Sequence, residues 1–253
     1  MSISEREQRA ADEAYAAFSS VVRTGAATVI WLPELPMVPM LNRVVGLGSG
    51  HPATEADVDA ALAAIEPGVS YYVAVAPHAE PPRLPEWLRA RGLEPGWGWM
   101  AFRRGVDDPP EVETTLELVE VEAEPDVAAF ARVVRESYGL PPAADPVLAN
   151  AARSPWRCWL ALENGEPIAA AGLFVSGGVG YLGIGATLAD HRGKGAQTAL
   201  LAARIRQAGT LGCDLVTTET GERDGDRPSN SYRNILRAGF EEVAVTANWR
   251  GSS

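Results

Sequence analysis

Tyr181-Leu-Gly-Ile-Gly-Ala-Thr-Leu-Ala-Asp-His-Arg-Gly-Lys-Gly-Ala-Gln-Thr-Ala-Leu-Leu201 decides how this chain is to be read. It opens as a strand through Thr187, passes through a basic glycine loop, and enters a helix with Leu201, Ile205 and Ala208 on one side. Strand, loop and helix in that order suit a phosphate. The free N–H groups of a helix start carry about half a unit of positive charge, and Gly193 and Gly195 admit an anion with no Cβ in the way. Arg192 and Lys194 add mobile charge. Other grips fail by spacing. A Walker loop needs Gly at 188 and Ser or Thr at 195, where Leu188 and Gly195 stand. A dinucleotide fingerprint from Gly183 or Gly46 needs Gly at 188 or 51, where Leu188 and His51 stand. No nucleophile elbow surrounds Ser49 or Ser176.

Outward from that stretch, Asn164-Gly165 is a strong hairpin signal between strands Trp156 to Leu162 and Pro167 to Val175, and Gly177-Gly178 turns the chain into Val179 to Thr187. A strand at Thr115 to Val121 and a helix from Pro125 to Glu136 precede them. Strand Asp214 to Glu219, a helix near Ser231 to Ala238 stopped by Gly239, and strand Glu241 to Trp249 follow. In the first half, apolar spacing through Ala11, Tyr15, Phe18 and Val22 predicts a helix over 4–23. Strands are expected at Ala27 to Leu32, Leu41 to Leu47, Val69 to Ala76 and Gly96 to Arg103. Helices are expected at Glu55 to Ile65, opened by Thr54 and Asp57 as an acidic capping box, and at Leu84 to Arg91. The acidic, turn-rich stretch Gly105 to Glu113 divides the chain into 1–110 and 111–253. Trp87 to Leu93 followed by Trp97 to Arg103 is similar to Ile235 to Phe240 followed by Val243 to Arg250, so one fold is expected twice. A single continuous domain is the alternative.

Composition narrows the function classes. With 253 residues, 46% hydrophobic, the chain can bury a core, and its net charge of -11 argues against broad contact with nucleic acid or anionic lipid. No apolar run reaches membrane-spanning length, and Glu5, Arg6, Glu7 and Arg9 interrupt any signal-peptide core, so a cytoplasmic protein is expected. Cys158 and Cys213 read as buried free thiols. His51, His78 and His191 share no ligand spacing with them, so no metal is expected. Oligomeric state is not legible.

Arg192, Gly193, Lys194, Gly195, Ala196 and Gln197 resemble motif A of the GNAT superfamily of N-acetyltransferases, R/Q-x-x-G-x-G/A, with Gln197 where the family has a small residue. The likeness extends over about residues 115 to 250 and includes the Gly239-Phe240 pair before the last strand. It implies two mixed α/β domains of GNAT type, each a mostly antiparallel sheet flanked by helices. It also implies an acyl-CoA site, with acetyl-CoA as donor: diphosphate on the amides of Arg192 to Gln197, and pantetheine along Gly185, Ala186 and Thr187, with Asn230 added to the set. The first half resembles the family more faintly and reads as a degenerate copy, because Gly48 to Thr54 lacks Arg-Gly-x-Gly.

Acyl transfer to an amine needs a neutral nucleophile. A lysine-like amine with a pKa near 10.4 stands over three units from neutral at pH 7, a cost of about 4.6 kcal/mol. Glu219, at the carboxyl end of its strand, is the first candidate base; Glu222 is second, with Asp224 and Asp226 further along the loop. A solvated acidic loop is the plain alternative. For the acid, the family's tyrosine position holds Ile235 and its asparagine position Pro228, which leaves Tyr232 as the nearby phenol or water as the proton source. Core packing is the default for Trp97, Trp99, Trp156 and Trp159, with an aromatic acceptor wall as the alternative. The expected activity is transfer of an acetyl group to a small amine; the competing possibility is a noncatalytic acyl-CoA-binding module.

Overall fold

The computed structural model describes residues 3–17, 19–153, 155–225 and 228–252. Along the chain run α1 (Ile3–Ala16), β1 (Ser20–Thr24), β2 (Ala27–Trp31), β3 (Arg43–Val45), α2 (Glu55–Ala63), β4 (Ser70–Val75), α3 (Leu84–Ala90), β5 (Glu94–Pro95) and β6 (Trp99–Gly105). There follow β7 (Glu117–Glu120), α4 (Glu124–Tyr138), α5 (Ala144–Arg153), β8 (Arg157–Glu163), β9 (Glu166–Ser176), β10 (Val179–Thr187), α6 (Ala196–Thr210), β11 (Leu215–Gly221), α7 (Asn230–Arg237) and β12 (Glu241–Ser252). They gather into two compact units, one of Met1–Phe18 with Phe102–Val243, the other of Ser19–Ala101 with Ala244–Ser253. These units differ from a division at 110/111: the amino-terminal helix packs in the larger unit, and the last strand residues pack in the smaller.

The smaller unit is built on the order β1-β2-β3-β4-β12. Only β3 and β4 run parallel; β1 with β2, β2 with β3, and Ala247 to Ser252 with β4 run antiparallel. Val29, Val44, Val73 and Trp249 from the sheet meet Val58, Ala61, Leu84 and Leu88 from α2 and α3 in one apolar core. The helix expected over 4–23 ends at Ala16. Residues 20–24 instead form β1, because β-branched Val21, Val22 and Thr24 favour a strand and Thr24 pairs with Ala27 across a two-residue Gly25-Ala26 turn. Phe18 lies outside the described residues. Trp97 is 48% exposed and so is no core residue, whereas Trp156 and Trp159 in the larger unit are buried.

In the larger unit the order is β6-β11-β10-β9-β8-β7. Pairs β7/β8, β8/β9 and β9/β10 are antiparallel and β10/β11 is parallel. Asn164 and Gly165 take positive φ of 53° and 82°, the conformation a tight two-residue hairpin requires. Helix α6 buries Ala199, Leu200, Ile205 and Ala208 beside β9 and β10. Helix α1 packs along the same two strands, and Trp156 donates its indole N–H to the Ala14 carbonyl at 3.2 Å. That ring lies so close to the sheet that a Cβ on Gly172 or Gly183 would come within 2.7 Å of it. Helix α5 has no counterpart in the sequence expectations. Its buried Ala144, Val147, Leu148 and Ala151 carry a helical period behind Pro141-Pro142, but alanine makes that period faint.

Candidate functional site

Two departures from regular pairing make the site. Between β9 and β10 the register slips: Gly183 pairs with Gly172, but Ala186 pairs with Ala170, so one extra residue bulges from β10 and Ile184 takes φ +52°. Between β10 and β11 the parallel ladder covers only Val179 to Tyr181, its last pair being Tyr181 with Thr217. Beyond it the Thr218 hydroxyl donates to the Leu182 carbonyl at 2.7 Å. Gly185 is exposed past that point, and its carbonyl accepts from the Tyr138 hydroxyl at 2.8 Å. Beside these two departures stands the start of α6. Its N-cap is Gly195 in the left-handed region (φ +83°), with no side-chain cap and no acidic residue in the first turn. Any Cβ there would be strained, and the helix leaves its first N–H groups open to a ligand.

These features border one cavity of about 770 Å³. Among the sequence-predicted residues, Gly185, Ala186, Thr187, Arg192, Gly193, Gly195, Ala196, Gln197 and Asn230 all line it. Four guanidinium groups, those of Arg192, Arg204, Arg233 and Arg237, also line it together with His191, and no Asp or Glu is among the lining residues. In a chain of net charge -11 that is a local inversion of sign, suited to a polyanion.

Lys194 does not join the lining. Its ammonium lies 2.6 and 2.9 Å from the two carboxylate oxygens of Glu163, and His191 Nδ1 lies 3.0 Å from the same carboxylate. Lys194 first, and then His191, hold the Glu163 carboxyl below its ordinary range. The loop's expected mobile cation is thus a strut that ties residues 191–194 to the end of β8. Gln197, in place of a small residue, bridges two helices: its amide nitrogen donates to Ser231 Oγ at 2.9 Å and its carbonyl accepts from Asn234 Nδ2 at 2.9 Å.

Neither expected proton-transfer residue lines the cavity. Glu219 lies two residues past the last β10/β11 pair, and its carboxylate accepts from the Tyr181 hydroxyl at 3.3 Å. Tyr232 is fully buried, set edge-on against Phe102 at 4.7 Å with the Arg223 guanidinium over its ring. Glu222 and Asp224 are exposed, and Asp226 lies outside the described residues.

Sequence reasoning missed Arg204, Arg233, Arg237, Ser137 and Tyr138. Arg233 and Arg237 stand four apart on α7, one helical turn, which was legible in principle. Arg204 stood out too: it is a charged residue on the apolar side of α6, between Leu201 and Ile205. It is 2% exposed, and burial lowers its pKa to about 10. Nε donates to the Leu200 carbonyl at 3.0 Å, and Nη1 donates to the carbonyls of Gly172 and Gly183 at 2.9 and 3.2 Å, just where the bulge interrupts the ladder.

Residues 119–228 match the family model described as "Acetyltransferase (GNAT) family". Among solved structures, the chain is similar over its whole length to a GCN5-related N-acetyltransferase from Kribbella flavida, with TM-score 0.74, 21% identity and 97% of that chain covered. A GCN5-related N-acetyltransferase from Sphaerobacter thermophilus gives TM-score 0.66 and 17% identity over 89% of this chain and 76% of that one. A tandem GNAT protein from the clavulanic acid biosynthesis pathway gives 0.60 and 15% over 91% and 81%. No curated protein matches. At these identities the structural likenesses speak to the fold, and their coverage is consistent with two GNAT-like domains. Among the described residues no helix is long and apolar enough to cross a membrane. Residues 119–228, within the larger unit, are thus similar to the acetyltransferase (GNAT) family, whose general chemistry is acyl transfer from acyl-CoA.

Proposed function

We propose that this chain is an N-acyltransferase that moves an acyl group, acetyl in the simplest case, from acyl-CoA to a small amine by direct attack, and that the smaller unit is a degenerate companion to the larger, active one. One observation carries the reading: the uncapped start of α6 opens on a cavity with four guanidinium groups and no carboxylate in its lining. A diphosphate there would accept from the amides of residues 192–197, and Arg192, Arg233 and Arg237 would screen its charge. The carrier arm would run along Gly185, Ala186 and Thr187, where the bulge and the parted strands leave backbone groups without ladder partners.

In the transfer, the amine nitrogen bonds to the thioester carbonyl carbon, the carbon–sulfur bond breaks, the nitrogen loses a proton and the thiolate gains one. Glu219 is the candidate base, set beside the gap between β10 and β11 and linked to Tyr181. The burial of Tyr232 favours water as the source of the sulfur's proton. The test is thiol release from acetyl-CoA across a panel of polyamines, amino acids and aminoglycosides. Release that depends on one amine class supports transfer. Because neither Glu219 nor Tyr232 lines the cavity, a noncatalytic acyl-CoA-binding module is the second reading; binding without release across the whole panel would favour it.

A further inference from the structure

Arg204 lies well inside the site. It stands eight residues into α6, about 12 Å from the helix start at 1.5 Å per residue. Yet it lines the same cavity as the glycine loop, with Ser137 and Tyr138 of α4 and Ala170 and Ala171 of β9. Its Nε and Nη1 satisfy carbonyls of α6 and of the bulged strands. Its Nη2 has no partner among the described residues, and no carboxylate among them forms an ion pair with the group. The ionisable groups that bear on it are Cys158, Tyr138 and Tyr181, and no Asp or Glu is among them. Nearby, Ser137 Oγ is buried and makes no hydrogen bond. A buried cation and an orphan hydroxyl are the wrong chemistry for an acetyl methyl group, which needs only an apolar wall such as Ala170 and Ala171 provide. They are the right chemistry for an anion brought in by the ligand.

We propose that the inner end of the cavity is a carboxylate subsite, in which Arg204 Nη2 and Ser137 Oγ take the terminal carboxylate of the transferring acyl group, so that the preferred donor is the CoA monothioester of a short dicarboxylic acid. This rests on the acyl-CoA reading above. The transfer step is unchanged: the amide forms at the thioester carbon, the thiol leaves, and the distal carboxylate stays ionised.

Calorimetric titration of the whole chain with CoA, acetyl-CoA, malonyl-CoA and succinyl-CoA, with no amine present, tests it. Malonyl- or succinyl-CoA is expected to bind about ten- to a hundredfold more tightly than acetyl-CoA, as a charge-assisted bond in a buried site would give. Ser137→Ala should reduce that preference several-fold, and Arg204→Met should abolish it, the preference being read within each variant as the ratio of carboxylated-donor to acetyl-CoA affinity. Should Arg204→Met fail to fold because the bulge carbonyls lose their donor, the unmodified chain and Ser137→Ala still decide. Acetyl-CoA binding as tightly as both carboxylated donors overturns the subsite alone. Failure of all four to bind overturns the acyl-CoA reading with it.

Discussion

Two helices of this protein begin at glycine-rich loops and finish them in opposite ways. Helix α2 is sealed by its own residues: the Thr54 hydroxyl accepts from the Asp57 amide, and the Asp57 carboxylate accepts from the Thr54 amide at 2.7 Å. The loop before it is filled as well. The Glu80 carbonyl accepts from the Ala53 amide at 2.8 Å, and a Cβ on Gly48 would come within 2.4 Å of that carbonyl oxygen. Helix α6 has a left-handed glycine at its N-cap, no acidic residue in its first turn, and nothing within 4 Å of where a Cβ on Gly193 or Gly195 would stand. One start supplies its own anion; the other has room and charge for a foreign one. A helix terminus is thus a binding site only where the chain withholds its own cap.

The sharpest way to break that contrast is to move the acid. Position N3 of α6 is Thr198, the counterpart in the helix of Asp57 in α2. Thr198→Asp should lower acyl-CoA affinity about a hundredfold, because a fixed carboxylate would face the diphosphate. The thermal midpoint should stay level or rise, since the helix gains a cap. Loss of affinity together with loss of folding would mean that Thr198 is structural instead. Removing the guanidinium groups of α7 tests the second element of the contrast. Arg233→Ala combined with Arg237→Ala should weaken acyl-CoA about tenfold and flatten the dependence of affinity on salt. An unchanged salt slope would show that α7 contributes no charge to the ligand.

The sealed helix should answer differently. Thr54→Ala is expected to cost about 1 kcal/mol in denaturant unfolding and leave acyl-CoA titration unchanged. The smallest effect concerns the strut on the open loop. The folded pKa of Glu163 is depressed by Lys194 and His191, so its contribution is fully present above its ordinary value of 4.5 and is lost as pH falls through the lower folded value. Backbone NMR order parameters at Gly193 and Lys194 should therefore fall only in acid below that range. In Glu163→Gln they should be lower already at neutral pH.

Features decided by neighbours in the chain were legible in the sequence. The Thr54–Asp57 capping box and the Asn164-Gly165 turn depend on local φ/ψ and short hydrogen bonds, and the structure has both. Three other features depend on partners far along the chain. Lys194 is captured by Glu163, 31 residues away, so its expected place on the phosphate could not be judged from the loop alone. Helix α1 seats Trp156 from 142 residues away, which no periodicity in either segment encodes. The third is the geometry of the site itself: a bulge in β10 and a parallel ladder that stops at Tyr181 leave no composition signal, yet they open the cavity and give Arg204 two carbonyls to satisfy.

On the proposed function, the open start of α6 takes a diphosphate and the sealed start of α2 does not. Backbone amide NMR during titration with acetyl-CoA reads both at once. The expected result is saturable shifts concentrated at residues 192–197, with residues 48–57 unmoved. Shifts confined to 48–57, or saturable binding that leaves 192–197 undisturbed, would contradict it.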